Sequence, residues 1–478
     1  YYYINYPISK AAGPPYPYFG GLWSRWFYHE PVYMAGIAEA YAKIKKTDAF
    51  EKLKEKYNED MENLILYMIK DTVSFIESYG MCNGNMDPAE WIGLIRIGQA
   101  LNRCDYILDV LDRIREFIQV NFMFDGFWKE TTLSYHDNVV KGLLQAFSRI
   151  NKDSENILKG FPVLQKAMDI TRRLVYPNGK FIPVQDTHLS EIHEVSDIVF
   201  ENFLLPCSKI VRLAGPKGEN HTQIVFLAEP KYGHNHLDAL SFNLFSRGVE
   251  MIPDYGYTHT SYRYWTLSTL GHNTTVVDEK DSKNQSGGNL LQYVPASFGT
   301  VGLVRGADPF CYEEASVYDR QIVTVPGENG DIGYTVDIFR VEGGKRHEYT
   351  LNLCLDYDIV TSCSLNLDGY SETLLPEDVR YEKPMEELSK GYAEGRYTAY
   401  MFVKDVKYGS IENRPYLVSY VIKDKEHEGK GIHIHGVPSE GVLMIGKAPS
   451  MRDTRISFAY DLNDRKDNHW SDKLVIRK

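Results

Sequence analysis

Hydrophobic positions in the first part of the chain recur every three to four residues, which is the spacing of one face of an α-helix. The clearest example is the set Trp91, Leu94, Ile95, Gly98 and Leu101. Similar spacing predicts further helices near residues 31–57, 60–79, 105–120, 139–150, 155–174 and 190–203. Successive amphipathic helices joined by short loops suit an α/α toroid, and this stretch alone would leave the toroid incomplete or open.

From about Cys207 the pattern changes to short runs in which apolar and polar residues alternate, separated by glycine, asparagine and aspartate. Examples are the runs 223–227, 335–339, 349–354 and 416–421. Alternation with a period of two is typical of antiparallel strands with one buried face. We therefore predict a multidomain α + β chain, with an incomplete (α/α) toroid over residues 1–205 and an antiparallel β-sandwich domain over residues 206–478.

Composition narrows the possible partners. At 478 residues the chain exceeds the usual size of one domain, which agrees with two domains. The net charge of -12 argues against nucleic acid or an anionic membrane surface as the main partner.

No stretch of the sequence approaches the roughly 20 apolar residues of a membrane span. The chain begins with Tyr1-Tyr2-Tyr3 and no initiator methionine, so we expect the natural N-terminus to lie upstream.

The densest candidate chemistry lies in Gly233-His234-Asn235-His236-Leu237-Asp238-Ala239-Leu240-Ser241, followed by Asp254 and by Gly271-His272-Asn273. Histidine and carboxylate are ligand types that zinc accepts in tetrahedral sites. On an extended strand His234 and His236 project to the same face, because side chains alternate along a strand. The pair can therefore serve one metal, or one metal and one catalytic histidine.

The surrounding pattern predicts three strands. Leu240, Phe242 and Leu244 alternate with polar residues, a turn leads to residues 249–252 just before Asp254, and the run 274–277 begins after His272. If these strands are adjacent, His236, Asp254 and His272 come together.

The run from Gly233 to Asp278 resembles the heparinase II/III family of polysaccharide lyases. The resemblance is carried by the H-x-H-x-D-x-x-S segment, the aspartate before a glycine-tyrosine turn and the later His-Asn pair, although Asn235 replaces an expected glycine. It implies a zinc ion held by His236, Asp254 and His272, with His234 turned toward the substrate. The zinc is expected to be structural, and the enzyme to be periplasmic or secreted.

The same resemblance extends to the helical domain. Glu130 to Tyr135 looks like the family's E-x-(S/T)-x-x-Y segment, which implies that Tyr135 is the catalytic tyrosine, with Glu130 and His136 beside it at the substrate. Family members bind the substrate carboxylate with an upstream asparagine or histidine. Asn83 and Asn85 lie 52 and 50 residues before Tyr135, and Asn85 is preferred.

The implied reaction is β-elimination from an acidic polysaccharide or oligosaccharide. The proton on C5 of a uronic acid is weakly acidic, so the neighbouring carboxylate must be neutralised before an enolate-like transition state forms. A tyrosine, whose pKa is normally about 10, acts as base only if nearby groups lower that pKa. Tyr257 or Tyr262 is expected to share the acid and base roles with Tyr135, and Arg263 to contact the anionic substrate.

Three other functions remain open from the sequence. A glycoside hydrolase would need two carboxylates, for which Asp87, Glu130 and Asp137 are candidates. A non-haem iron oxygenase uses a two-histidine, one-carboxylate triad. A noncatalytic glycan-binding protein with structural zinc would bind without turnover.

Overall fold

The computed structural model describes residues 22–23, 27–79, 83–151, 159–189, 198–258, 262–283, 286–297, 299–376, 379, 398–456 and 469–478. The chain divides into two compact units. The helical unit comprises residues 1–129 and 135–169, and the β unit comprises residues 130–134 and 170–478. The predicted boundary between residues 205 and 206 stays a prediction.

Within the described residues, all α-helices longer than five residues lie in the first 175 residues. The helices are Glu30–Ile44, Ala49–Tyr57, Met61–Tyr79, Asp87–Leu101, Cys104–Asn121, Leu133–Ile150 and Pro162–Arg173, preceded by the 3-10 turn Phe27–His29. In their described parts the predicted helices up to residue 174 are confirmed, with two exceptions: two helices replace the single one over 31–57, and the helix predicted over 155–174 begins at Pro162, after a break at residues 160–161. Residues 155–158 lie outside the described part of the chain. The helix predicted over 190–203 is wrong for its described part, because residues 198–202 are irregular and a strand begins at Phe203.

Close backbone approach explains two glycines of the helical unit. A Cβ on Gly93 would lie 2.4 Å from the carbonyl carbon of Pro31, and one on Gly142 would lie 2.6 Å from Cβ of Pro88. Helix Asp87–Leu101 is therefore closely packed both at its start, at Pro88, and near its middle, at Gly93. Among the described helices, none combines the length and the apolar character that a membrane crossing needs.

Within the described residues of the β unit, the strands form four antiparallel sheets. The first contains, in order, Phe203–Leu205, Ile210–Ala214, Thr222–Leu227, Phe242–Ser246 and Val249–Ile252. The second contains Asn289–Val294, Gly302–Ala307, Ala315–Pro326 and Ile332–Gly343. The third contains, in spatial order, Gly369–Thr373, Lys404–Ser410, Val442–Pro449, Trp470–Arg477, His347–Asn352 and Thr275–Val277. The fourth contains Ile359–Cys363, Tyr416–Ile422 and Gly431–Gly436.

The predicted change from helices to antiparallel strands is confirmed. One hydrophobic core joins residues of all four sheets, among them Phe226, Val304, Leu351 and Val418. Short helices Arg263–Leu267 and Arg452–Ile456 and the 3-10 turns Thr269–Gly271 and Thr398–Phe402 lie between the strands. The loops between strands of the first and third sheets carry the site described next.

Candidate metal centre and active site

Two fully buried histidines of the β unit face each other. Nδ1 of His236 lies 3.0 Å from Nε2 of His272. Oδ2 of Asp254 lies 3.4 Å from the same His272 nitrogen and has no hydrogen-bond partner among the described residues. The three ligand atoms lie within 4.8 Å of one another, so the structure brings the predicted metal ligands together.

Neighbouring groups fix the tautomers of both rings. Nδ1 of His272 lies 2.7 Å from the carbonyl oxygen of Ser268, which only accepts, so this nitrogen carries the proton. Nε2 of His236 likewise donates to the carboxylate of Asp186, at 2.9 Å. Burial lowers the pKa of His272, which favours a neutral ring.

When both rings are neutral, the two facing nitrogens are both acceptors, and Asp254 adds a third acceptor. A proton shared between the rings would remove the repulsion between the nitrogens but would leave Oδ2 of Asp254 without a donor. A divalent cation satisfies all three atoms at once, and each histidine already has the second hydrogen bond that orients metal-bound imidazoles. His236, Asp254 and His272 therefore fit a metal ion.

The H-x-H pair lies in a loop rather than on the predicted extended strand. Residues 232–241 form no strand, and His234 has a left-handed backbone with φ of 55°. The side chain of His234 is 31% exposed, whereas that of His236 is fully buried. The prediction that both histidines face one side of a strand is wrong, because the left-handed residue breaks the alternation.

The prediction of three adjacent strands is also wrong. Strands Phe242–Ser246 and Val249–Ile252 are paired as expected. Strand Thr275–Val277 instead pairs with His347–Asn352 in the third sheet. The metal ligands therefore come from loops of two different sheets.

Asn273 joins these two sheets beside the metal ligands. Its Nδ2 donates to the carbonyl oxygens of Phe242 and Pro253, at 3.0 and 2.9 Å. Its Oδ1 accepts from the backbone N–H of Asn352, at 2.7 Å. Because Pro253 precedes Asp254, the asparagine of the His-Asn pair fixes the backbone that presents two of the ligands.

Asp238, the acid of the H-x-H-x-D segment, has a structural role in the β unit. Buried Lys231 donates to Asp238 and, at 2.7 Å, to Glu229. Burial alone raises the pKa of Asp238, but the charge of Lys231 outweighs it and lowers the pKa to about 2. Asp238 is thus a buried counter-ion that holds the segment in place.

His234 lies near a carboxylate on the more exposed side of the loop. Its Nδ1 is 3.4 Å from Oε2 of Glu130, whose side chain is 13% exposed. A Cβ on Gly233 would lie 3.3 Å from Oε1 of the same glutamate. His234 and Glu130 were both predicted at the substrate, and the structure brings these two together.

Gln185 and Asp186 contact this site but were not among the residues predicted from the sequence. Asp186 is 1% exposed and accepts from His236 and, at 2.6 Å through each oxygen, from Arg263. Burial raises the pKa of Asp186, but these two partners outweigh it and lower the pKa, so the group is a carboxylate. The available signal was a polar run, Gln185-Asp186-Thr187-His188, after the apolar run 181–184.

The tyrosines predicted to assist lie in different surroundings. Tyr257 is half-buried, and its ring lies 4.7 Å from the Arg263 guanidinium and 4.6 Å from the His188 ring. Tyr262 is 8% exposed and belongs to a hydrophobic cluster, with its ring packed edge-on against Phe402. Tyr257 is therefore the more solvent-accessible of the two tyrosines. The guanidinium of Arg263 is already paired with the carboxylate of Asp186.

In the helical unit, Asn83 is part of a polar network. Lys129 donates to the backbone oxygen of Asn83, at 2.6 Å, and to Oδ1 of Asn121, at 2.7 Å. Nδ2 of Asn121 donates to Oδ1 of Asn83, at 2.8 Å. Asn85 is half-buried. The choice between Asn83 and Asn85 stays a prediction.

Tyr135 lies in the first turn of helix Leu133–Ile150 and is half-buried. The neighbouring His136 is fully buried: its Nδ1 accepts from the backbone N–H of Trp128, at 3.1 Å, and its Nε2 donates to the carbonyl oxygen of Ala167, at 2.8 Å. Burial lowers the pKa of His136 to about 4. These contacts favour a role in holding the helix start, and they lend no support to the predicted contact with substrate.

Two of the three carboxylates suggested for a hydrolase, Asp87 and Asp137, lie in the helical unit. Asp87 is 3% exposed, and burial raises its pKa to about 7. Asp137 forms an ion pair with Lys141, at 2.5 Å.

Part of the chain is similar to a known protein family. Residues 197–362, about a third of the chain, match the family model described as heparinase II/III-like, C-terminal. The resemblance of this chain to the heparinase II/III-like family, predicted from its sequence, is thereby confirmed. The matched segment contains His234, His236, Asp254 and His272.

Solved structures show that the heparinase II/III-like resemblance extends to the fold of the whole chain. A heparinase III crystal structure has a TM-score of 0.59 and 15% identity, covering 98% of this chain and 69% of that one. The heparan sulfate lyase HepC from Pedobacter heparinus has a TM-score of 0.54 and 14% identity, covering 86% of this chain and 60% of that one. The chain matches none of the curated proteins by sequence. At these identities the structures establish a shared architecture of helical region and β domain.

Proposed function

We propose that this chain is a polysaccharide lyase that cleaves a glycan containing uronic acid by β-elimination. The observation that carries the proposal is the division of the H-x-H pair inside the heparinase II/III-like segment. His236 is buried against Asp254 and His272, while His234 is partly exposed beside Glu130. A buried metal ligand next to a more accessible histidine suits a site in which the metal orders the loop and His234 meets the substrate.

In the proposed reaction, Tyr135 removes the C5 proton of the uronate. The electron pair of the C5–H bond forms the double bond between C4 and C5, the bond from C4 to the bridging oxygen breaks, and that oxygen takes up a proton from Tyr135 or from Tyr257. Hydrogen bonds from Asn85 or Asn83 and from His234 neutralise the carboxylate, which lowers the energy of the enolate-like transition state. Tyr257 is the proposed second tyrosine.

The proposed metal is zinc, held by His236 Nδ1, His272 Nε2 and Asp254 Oδ2. A bound divalent cation supplies a fixed positive charge among three buried acceptors. Because Asp254 and the two histidines lie in loops of different sheets, this charge stabilises the arrangement of the loops. We therefore assign the metal a structural role. A need for ferrous iron would instead favour the oxygenase.

The substrate class follows from the same proposal. Heparinase III and heparan sulfate lyase, the structures with the same architecture, are named for acidic polysaccharides. We propose an acidic polysaccharide or oligosaccharide as substrate, met in the periplasm or outside the cell. Since the net charge is -12, attraction of such a polyanion requires a locally positive surface.

The test is the ultraviolet absorbance of the conjugated, unsaturated uronate product during incubation with a panel of uronic-acid glycans. Tyr135→Phe and His234→Ala are expected to abolish the signal. Tyr334→Phe is the matched control, because Tyr334 is 61% exposed on strand Ile332–Gly343 of the second sheet. Its activity is expected to equal that of the unmodified protein.

Other outcomes identify the rival functions. Reducing ends released without the absorbance would indicate hydrolysis. Binding to a glycan that survives Tyr135→Phe, with no product of either kind, would favour a noncatalytic glycan-binding protein.

A further inference from the structure

One short segment of the β unit, Gln185-Asp186-Thr187-His188, contacts both histidines of the H-x-H pair, Tyr257 and residues 132–134. We call it the 185–188 segment. Gln185 has a left-handed backbone with φ of 53°, a conformation that residues other than glycine adopt at some energetic cost. Such strain persists only where surrounding contacts hold it, and the contacts of this segment are numerous.

The segment holds both histidines of the H-x-H pair. Oε1 of Gln185 accepts from the backbone N–H of His236, at 2.6 Å. Asp186 accepts from the His236 ring and donates its own backbone N–H to the carbonyl oxygen of His234, at 3.3 Å. The orientation of the metal-facing nitrogen of His236 is thus set by the segment.

The segment also holds Tyr257. The backbone N–H of Tyr257 donates to the carbonyl oxygen of Thr187, at 2.9 Å. The Tyr257 ring lies against the ring of His188 and the guanidinium of Arg263, and Arg263 is bound through both oxygens of Asp186.

A third set of contacts reaches residues 130–134, which directly precede Tyr135. Oγ1 of Thr132 donates to the carbonyl oxygen of Asp186, at 2.8 Å. The backbone N–H of Leu133 donates to Oγ1 of Thr187, at 3.1 Å. The backbone N–H of His188 donates to Oγ of Ser134, at 2.7 Å.

We infer that the 185–188 segment couples metal binding to the order of the candidate catalytic residues, with Asp186 as the positioning residue at the junction. A metal bound to His236 fixes its ring, and the ring fixes the carboxylate of Asp186. Asp186 in turn fixes Arg263 through its carboxylate and residues 130–134 through its carbonyl oxygen. Loss of the metal frees the His236 ring and loosens these contacts in turn. The inference concerns order and metal affinity, and only its consequence for turnover rests on the proposed function.

The experiment is backbone hydrogen–deuterium exchange of the full chain, with zinc bound and after chelation. We expect chelation to speed exchange at residues 130–134, 185–188 and 257 and to leave strands Tyr416–Ile422 and Gly431–Gly436 unchanged. With zinc present, Asp186→Asn is expected to speed exchange at the same sites. It should also weaken zinc affinity by about 10- to 100-fold, the usual effect of losing a carboxylate behind a metal-bound histidine.

Asp319→Asn is the matched control. Asp319 binds Arg305 through both oxygens, at 2.8 to 3.1 Å, in the second sheet, so the substitution removes the same kind of pair elsewhere. It is expected to leave zinc affinity and the exchange of the 185–188 segment unchanged.

Thr132→Val provides a second test if Asp186→Asn does not fold. It removes the bond from Thr132 to the Asp186 carbonyl oxygen, so exchange at 130–134 should already be faster with zinc bound and should respond less to chelation than in wild type. The inference is overturned if chelation leaves exchange at 130–134 and 185–188 unchanged, or if folded Asp186→Asn behaves like the control. Neither readout requires turnover, so a protein without lyase activity still tests the coupling.

Discussion

Nδ2 of Asn121 donates a hydrogen bond to Oδ1 of Asn83, at 2.8 Å. The direction of this bond is fixed by two other groups. Lys129, which only donates, faces Oδ1 of Asn121, and the carbonyl oxygen of Phe117, which only accepts, faces Nδ2 at 3.1 Å. Asn121 therefore presents N–H to Asn83, and Asn83 must turn its oxygen inward.

This polarity leaves Nδ2 of Asn83 directed away from Asn121. A donor held in this way suits the neutralisation of a substrate carboxylate, because its orientation is set before the substrate arrives. On this ground we propose Asn83 as the donor, whereas the sequence preferred Asn85, and the choice between the two stays a prediction.

Asn83→Asp is accordingly predicted to lower kcat by about 10²- to 10³-fold, the range seen when one donor to a developing anion is removed. The replacement exchanges a donor for a negative charge that repels the uronate. Steady-state kinetics on the glycan that wild type cleaves will measure the effect. Asn58→Asp is the control. Asn58 is exposed, follows helix Ala49–Tyr57 and shares the left-handed backbone of Asn83, with φ of 54° against 53°. A large loss in Asn85→Asp together with an active Asn83→Asp would reverse the assignment.

The two histidines of the H-x-H pair are predicted to separate metal binding from turnover. His236→Ala removes a buried ligand, so purified protein should contain less than one tenth of the zinc of wild type. His234→Ala should retain the full zinc content, because His234 is not part of the buried triad, while its turnover is lost. Elemental analysis of both variants beside the absorbance assay decides the matter. Equal zinc loss in the two variants would contradict the division of roles.

The order of elements and the metal ligands were accessible from the sequence because they depend on local patterns. Helical spacing located the helices, alternation located strands such as Thr222–Leu227, and residue type with spacing pointed to His236, Asp254 and His272. The local geometry was less accessible. The left-handed conformation of His234 has no clear sequence signal. Glycine adopts this conformation readily and so can indicate it, whereas histidine does not.

Long-range contacts were the least accessible part. Asp186 lies 50 residues before His236 and 77 before Arg263 in the chain. Nothing in a polar run near residue 186 indicates which distant side chains will meet it. The placement of Thr275–Val277 in the third sheet was missed for the same reason, because strand pairing depends on partners such as His347–Asn352 that the local pattern does not specify.

Acid is predicted to destabilise the protein through His136. The pKa of this buried ring is about 4, against an ordinary value of 6.5, because burial disfavours the charged form. The folded-state pKa lies below the unfolded one, so the stabilising contribution is present above pH 6.5 and is lost as the pH falls toward 4. The difference of about 2.5 pH units corresponds to about 3 kcal/mol of unfolding free energy.

Urea unfolding of wild type and His136→Gln between pH 7 and 4.5 measures this contribution. Glutamine does not titrate, so the stability advantage of wild type over the variant should shrink as the pH falls. His435→Gln, at an exposed histidine of strand Gly431–Gly436, should show no such convergence. A constant difference between wild type and His136→Gln across the range would refute the prediction.

Gly256 is predicted to be essential for the geometry between Asp254 and Tyr257. Its φ is +60°, and a Cβ would lie 2.5 Å from the carbonyl oxygen of Thr187, the acceptor for the backbone of Tyr257. Gly256→Ala therefore has two costs in stability. An alanine in the left-handed conformation costs about 1–2 kcal/mol. The overlap of its Cβ with the backbone oxygen of Thr187, which cannot rotate away, costs about 1–3 kcal/mol. We expect the free energy of unfolding to fall by about 2–5 kcal/mol.

Gly248→Ala separates the two contributions. Gly248 has a φ of +86°, and a Cβ there meets no atom within 4 Å, so this variant carries the backbone cost without the overlap. Chemical denaturation of both variants should show the larger loss for Gly256→Ala, by the amount of the overlap. Because the displaced oxygen belongs to Thr187, Gly256→Ala should also speed hydrogen exchange at Tyr257, whereas Gly248→Ala should not. Equal losses in the two variants would mean that the 185–188 segment yields easily, and the coupling inferred for it would then lack a rigid element to carry it.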